Sequence, residues 1–163
     1  NRAAVFKEKL IGANAGVLFT QEADALVPQA LTKDGLFHPI DKQNPQDGAF
    51  IFLRADLWEP DYEIIPLDRY EGYKNGRVNL ILATSLSGEK FLLASAHGNS
   101  TRAEDGRLQI ALTMEKFEEL APSYDGLQLI IGIDANTKTE EDVQALREHL
   151  DSLGLIGTSV GPT

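Results

Sequence analysis

An acid and an amide stand two residues apart at the end of an apolar run. Leu127, Leu129, Ile130, Ile131 and Ile133 lead into Asp134 and Asn136. The bulky, branched run predicts a strand buried on both faces. In an extended chain, residues i and i+2 point to the same side. A carboxylate and an amide would then project together from a rigid strand end. One could orient a water or a metal ion while the other donates to a phosphate oxygen. The same residue types also cap turns, and residues 137–139 lead into a helix, so a plain turn is the alternative reading.

Two more apolar runs end in chemically capable side chains. Val17, Leu18 and Phe19 precede Gln21 and Glu22, and Phe91, Leu92 and Leu93 precede His97. Carboxylates take hard cations, and imidazoles contact phosphates. Rigid scaffolds present catalytic groups from the loops that follow their strands. Each residue also has an ordinary reading. Glu22 could be the acid at a helix N-terminus, and His97 a hydrogen-bonded loop histidine. His38 reads as a loop residue and His149 as a helix-surface residue, neither with a role. Arg102, Arg107 and Lys138 are candidate phosphate contacts or solvated surface charges.

The elements that must position these groups follow from periodicity. Residues 1–15 read as a short helix, and 16–22 as a strand ending in Gln21 and Glu22. Residues 24–31 read as a helix disturbed by Pro28, and 37–47 as a loop punctuated by Pro39 and Pro45. Strands are expected over 49–53 and 62–67, with Pro66 marking an edge or an end. Runs at 78–86 and 90–97 flank Ser87, Gly88 and Glu89, a hairpin signal. The longest helix spans 104–121, with Ile110, Met114, Phe117 and Ala121 on one face and Pro122 as its stop. Thr139 with Asp142 forms a capping-box pattern. Val143, Leu146, Leu150 and Leu153 give that helix its stripe, and Gly154 suits the position after its end. Strands cluster between helices, which predicts a layered mixed α/β sandwich rather than a doubly wound parallel sheet.

Bulk properties bound the function. The 163 residues suffice for one domain with a real core. The absence of cysteine excludes disulfides, thiolate metal sites and cysteine nucleophiles. No apolar stretch has the length of a membrane span, and no signal-peptide core is present. The chain starts at Asn1 without a methionine, so a removed leader stays open, and the localisation reading is only weakly intracellular. The net charge of −10 argues against a broad basic groove for duplex DNA. It leaves room for a hydrolase whose bound cation supplies the local positive charge.

In combination these stretches resemble a known family. Leu18 to Glu22 resembles the Leu-x-x-Gln-Glu motif of the metal-dependent endonuclease/exonuclease/phosphatase superfamily. The segment from Asp47 to Arg54 resembles the Asp-Gly-x-x-Ile-Phe strand of its deadenylase branch. Ala94 to His97 matches the family's strand ending in histidine. Gly132 to Asn136 matches its Gly-Asp-x-Asn motif with one residue inserted after the glycine. The motifs keep the family's order over residues 16–156.

The resemblance implies a four-layer α-β-β-α sandwich with two packed mixed sheets, an α+β fold. It implies that Glu22 ligates Mg²⁺ or Mn²⁺. Asp134 would position or deprotonate the attacking water while touching the metal. Asn136 would hold a phosphate oxygen, and His97 would hydrogen-bond the phosphate and stabilise its developing charge. The reaction would be hydrolysis of a phosphodiester or phosphomonoester, with RNA or a nucleotide as the expected substrate. The family's first strand, ending in asparagine, and its terminal Asp-His strand have no counterpart here. Residues 1–163 are therefore expected to be one partial domain, incomplete at both ends, with a protein partner or further chain completing the fold. A second expectation follows: a catalytically silent domain of this fold, acting as an interaction module in a larger assembly.

Overall fold

The computed structural model describes residues 5, 8, 9, 12–23, 26–38, 40, 49–66, 77–102 and 104–157. Asp47, Gly48, the first residues of the expected N-terminal helix and the tail from 158 lie outside them. Val5, Glu8, Lys9 and Gly12 are helical. The elements are β1 (Val17–Thr20), α1 (Leu26–Thr32), β2 (Phe37–His38), β3 (Phe50–Arg54), β4 (Trp58–Ile64), β5 (Val78–Ser85), β6 (Lys90–His97), α2 (Glu104–Leu120), a 3₁₀ turn (Ala121–Ser123), β7 (Gln128–Asp134) and α3 (Glu140–Ser152).

The strands form two sheets, β1-β3-β2 and β4-β5-β6-β7. Alternation along the strands sorts the side chains into layers. Phe37, Phe50 and Phe52 pack with Leu31 of α1 on the outer face of the small sheet. Ile51 and Leu53 of that sheet meet Trp58, Ile81, Ala83 and Leu93 of the large sheet, with Val17 and Phe19 alongside. The opposite face of the large sheet, with Leu80, Leu82, Leu92, Ala94 and Ala96, is covered by Phe117 and Leu120 of α2. Leu146 of α3 packs with Ile110 and Ala135, against Ile131 and Ile133. The layers are helix, sheet, sheet, helix, as expected.

Several expectations change in detail. Among the described residues only the large sheet is mixed: β6 and β7 are parallel, while β1-β3 and β2-β3 are antiparallel. Phe37 and His38, expected in a loop, form a short strand on β3. The strand expected at 62 begins at Trp58, because the turn at 55–57 carries the chain directly from one sheet to the other. The strand β7 is not buried on both faces. It lies at an edge of its sheet among the described residues, and Ile130 is 38% exposed. A continuous apolar run does not distinguish an edge strand under one helix from a central strand. His149 is not a plain surface residue: its Nε2 lies 3.0 Å from the Arg107 carbonyl oxygen and ties α3 to α2. His38 Nε2 similarly meets the Trp58 carbonyl oxygen at 2.9 Å.

The α3 start behaves as its sequence dictates. Thr139 accepts from the Asp142 N–H, and the Asp142 carboxylate accepts from the Thr139 and Lys138 N–H groups. Gly154 follows the helix at φ +69°, a conformation that favours glycine.

Candidate active site

The alternation that builds the core also aims the polar residues. In the parallel register, Ser95 stands beside Gly132 and His97 beside Asp134. Asn79 of β5 stands beside Ser95. Leu93 and Ile81, in step with these positions, face the small sheet. Asn79, Ser95, His97, Gly132 and Asp134 therefore lie on the inter-sheet face, toward the end where β6 and β7 terminate. The strand β1 brings Gln21 and Glu22 to the same end from the other sheet.

Gly132 makes this approach possible. A Cβ at this position would sit 2.3 Å from both Cβ and Cγ of Phe19 on β1. The residue that interrupts the apolar run is thus the one that lets the two sheets close against each other.

The structure brings Glu22 and His97 together. His97 Nε2 lies 3.5 Å from Glu22 Oε1; the histidine side chain is 9% exposed and the glutamate side chain 76%. The His97 backbone is held from two sides. Its N–H donates to the Arg77 carbonyl at 2.8 Å. Its own carbonyl accepts from Gln109 Nε2 of α2 at 2.9 Å. Glu22 follows β1 rather than ending it, and adopts φ +53°. A non-glycine side chain costs about 1 kcal/mol or more there.

Asp134 and Asn136 do not project together from an extended end. Asn136 turns into the left-handed region at φ +52°. Its backbone N–H donates to Asp134 Oδ1 at 2.8 Å, and its Nδ2 donates to the Gly98 carbonyl at 2.6 Å. The Gly98 N–H donates to the Asp134 carbonyl at 2.7 Å. Asparagine suits this position because it tolerates the left-handed conformation and satisfies local backbone groups. The turn geometry and the site geometry are therefore one arrangement. One Nδ2 hydrogen is used on Gly98, and the amide retains a second donor.

Three residues near the site were missed in the sequence. Arg77 donates from Nη1 to the Gly98 carbonyl at 2.8 Å, bracing the same loop as Asn136. Gln109 is 1% exposed and buttresses His97. Gln21 donates from Nε2 to Ser95 Oγ and to the Gly132 carbonyl, both at 3.2 Å. Only Gln21 carried a signal, as part of the Gln-Glu pair. Of the residues read as candidate phosphate contacts or solvated surface charges, Arg102 and Lys138 are exposed and Arg107 is half-buried.

Among the described residues, no group of three or more His, Asp or Glu side chains is placed to hold a metal ion. Mg²⁺ needs less: it keeps several waters and binds through one or two carboxylates. Glu22 presents a solvent-facing carboxylate of that kind, and Asp134 is the second hard donor at this end of the sheets.

No protein-family model and no curated protein matches the sequence. Solved structures match the fold. An endonuclease/exonuclease/phosphatase family protein from Bacteroides thetaiotaomicron aligns with a TM-score of 0.69 at 18% identity, over 90% of this chain and 58% of that one. The fold is that of the endonuclease/exonuclease/phosphatase family. TDP2 from D. rerio, humanized by 14 mutations, shares it with a TM-score of 0.63 at 22% identity, over 96% of this chain and 60% of that one. A second D. rerio TDP2 structure, complexed with a single-strand DNA product, gives 0.62 at 20% identity, over 96% and 59%. The endonuclease domain of TRAS1, a telomere-specific non-LTR retrotransposon, gives 0.61 at 17% identity, over 99% and 68%. The chain spans about 60% of the TDP2 chain it matches. These neighbours do not narrow the endonuclease/exonuclease/phosphatase fold to the deadenylase branch suggested by residues 47–54.

Proposed function

We propose that this chain carries the core of a metal-dependent phosphoester hydrolase acting on nucleic acid. The observation that carries the reading is the meeting of Glu22 and His97 at 3.5 Å, at the sheet end where Asp134 lies beside His97 in register. The fold neighbours support it: one is an endonuclease domain, and another is complexed with a single-strand DNA product.

In this reading Glu22 and Asp134 hold Mg²⁺ or Mn²⁺. A cation held there would supply positive charge against the charge that develops at the phosphate. Asp134 orients the attacking water and takes its proton. The Asn136 N–H already engages Asp134 Oδ1, which keeps the carboxylate in one orientation. Asn136 donates its remaining amide hydrogen to a phosphate oxygen. His97, buried and braced through its backbone, donates to another and stabilises charge as it develops. RNA or a nucleotide is the narrower substrate proposal, with the deadenylase-like segment 47–54 as its basis. Residues 1–163 act as one partial domain, and further chain or a protein partner completes the fold.

The test is Mg²⁺- and Mn²⁺-dependent cleavage of single-stranded RNA and DNA oligonucleotides and of bis-p-nitrophenyl phosphate, by the full-length protein. Asp134→Ala should lower kcat by about 10²- to 10⁴-fold, the range for loss of a general base. Unchanged hydrolysis in that variant overturns the assignment. A protein with no metal-dependent thermal shift and no hydrolysis, which still captures a protein partner, would be the silent interaction module.

A further inference from the structure

We infer that Gln21 is a positioning residue that sets Glu22 against the ends of β6 and β7. The inference rests on the phosphoesterase reading and concerns a residue to which that reading gives no part. Gln21 Nε2 donates to Ser95 Oγ and to the Gly132 carbonyl, each at 3.2 Å. Ser95 Oγ in turn donates to the Thr20 carbonyl at 3.3 Å. Ser95 is fully buried. One amide thus joins three strands from two sheets.

The positions it joins determine the consequence. Ser95 lies two residues before His97, and Gly132 two residues before Asp134. Both pairs share the inter-sheet face, so displacing the earlier residue displaces the later one. Thr20 and Gln21 directly precede Glu22. The clamp therefore fixes Glu22, His97 and Asp134 from one or two residues upstream. Glu22 itself is mostly exposed, and His97 lies 3.5 Å from it. The strained backbone at Glu22, φ +53°, needs surrounding structure to persist. Gln21 supplies that restraint across the sheet interface. An acceptor-only side chain could not replace it, because the Gly132 carbonyl also only accepts.

The experiment uses Gln21→Met, which keeps length and loses the donor, and Gln21→Glu, which keeps shape and places an acceptor against an acceptor. Both are made in the parent and in the Glu22→Gln background. Mn²⁺ affinity is measured by electron paramagnetic resonance, kcat and KM on bis-p-nitrophenyl phosphate, and Tm by calorimetry. Loss of a residue that orients a metal ligand lowers metal affinity or activity by about 10- to 100-fold. That loss is expected in kcat and Mn²⁺ affinity with KM nearly constant, larger for Gln21→Glu. In the Glu22→Gln background Gln21→Met should add nothing to either loss, since the two residues act as one unit. Equal further losses in both backgrounds, tracking Tm, would show a general sheet-bracing role and overturn the inference. So would unchanged Mn²⁺ affinity in Gln21→Met.

A metal-free readout separates this failure from that of the phosphoesterase reading. The His97 ring ¹⁵N shifts, recorded at one pH, should move alike in Gln21→Met and in Glu22→Gln. If they do while the parent neither binds Mn²⁺ nor hydrolyses the probe, the positioning stands and the hydrolase reading falls. If they do not, the positioning falls.

Discussion

Glu22 carries backbone strain at the place where the proposed chemistry needs a carboxylate. Its φ of +53° suits glycine, and its side chain is 76% exposed, so little packing depends on it. Glu22→Gly should release the strain, partly offset by the freer unfolded chain, for a net gain of about 0.5 kcal/mol. The same substitution should sharply lower Mn²⁺ affinity and hydrolysis. Urea unfolding beside a Mn²⁺ titration checks both, and a variant less stable than the parent would show that the side chain is structural. Glu22, His97, Asp134 and Asn136 stood out as candidates in the sequence because each follows an apolar run. Their geometry did not. The Asp-x-Asn pair carried a turn as its alternative reading, and Asn136 does leave the extended conformation, but the spacing does not show that Asp134 accepts from its N–H. Gln109 was unreadable for another reason: a buried glutamine on a helix looks like any polar residue until its partner, the His97 carbonyl, is placed.

At the scale of elements, the close approach of β1 to β7 is the feature on which the site depends. Gly132→Ala would drive a methyl group into Phe19, 2.3 Å from its Cβ and Cγ. Overpacking of this kind costs about 1–3 kcal/mol, and it would spread the sheet ends that carry Glu22 and Asp134. A fall in stability by urea unfolding, with a larger proportional fall in Mn²⁺ affinity, is the expected outcome; unchanged stability would mean the sheets have room to separate. The start of α3 offers a pH test. The Asp142 carboxyl is held below the ordinary aspartate value of 3.8, chiefly by the Lys138 N–H and then by Thr139. A depressed folded value means that its contribution is present above about pH 4 and is lost as pH falls through the folded value. Asp142→Asn should therefore lower Tm at pH 7 and leave a smaller difference at pH 3. The helices, the hairpin and the capping box were legible because their signals are local. The edge position of β7 and the pairing of β2 were not, since both depend on distant strands.

The whole molecule is acidic, with a net charge of −10, while its proposed substrate is a polyanion. The two are compatible only if a small number of contacts, with a bound cation among them, supplies the attraction. A protein gripping single strands through Z cationic contacts loses affinity with a log–log salt slope of about −0.7Z. In the proposed reading His97, Asn136 and the cation would face the phosphate, while Arg102 and Lys138 are exposed. With Z of about one or two, raising monovalent salt fourfold should weaken KM for a single-stranded oligonucleotide by only about three- to sevenfold. A groove of six or more such contacts would lose about 300-fold or more over the same range. The measurement is KM for one RNA and one DNA oligonucleotide at fixed saturating Mg²⁺, from low to moderate potassium chloride. A shallow slope for both supports recognition concentrated at the scissile phosphate. A steep slope would place a cationic binding surface elsewhere in the full-length protein, and substrate choice would then be made outside this chain rather than by Glu22, His97, Asp134 and Asn136.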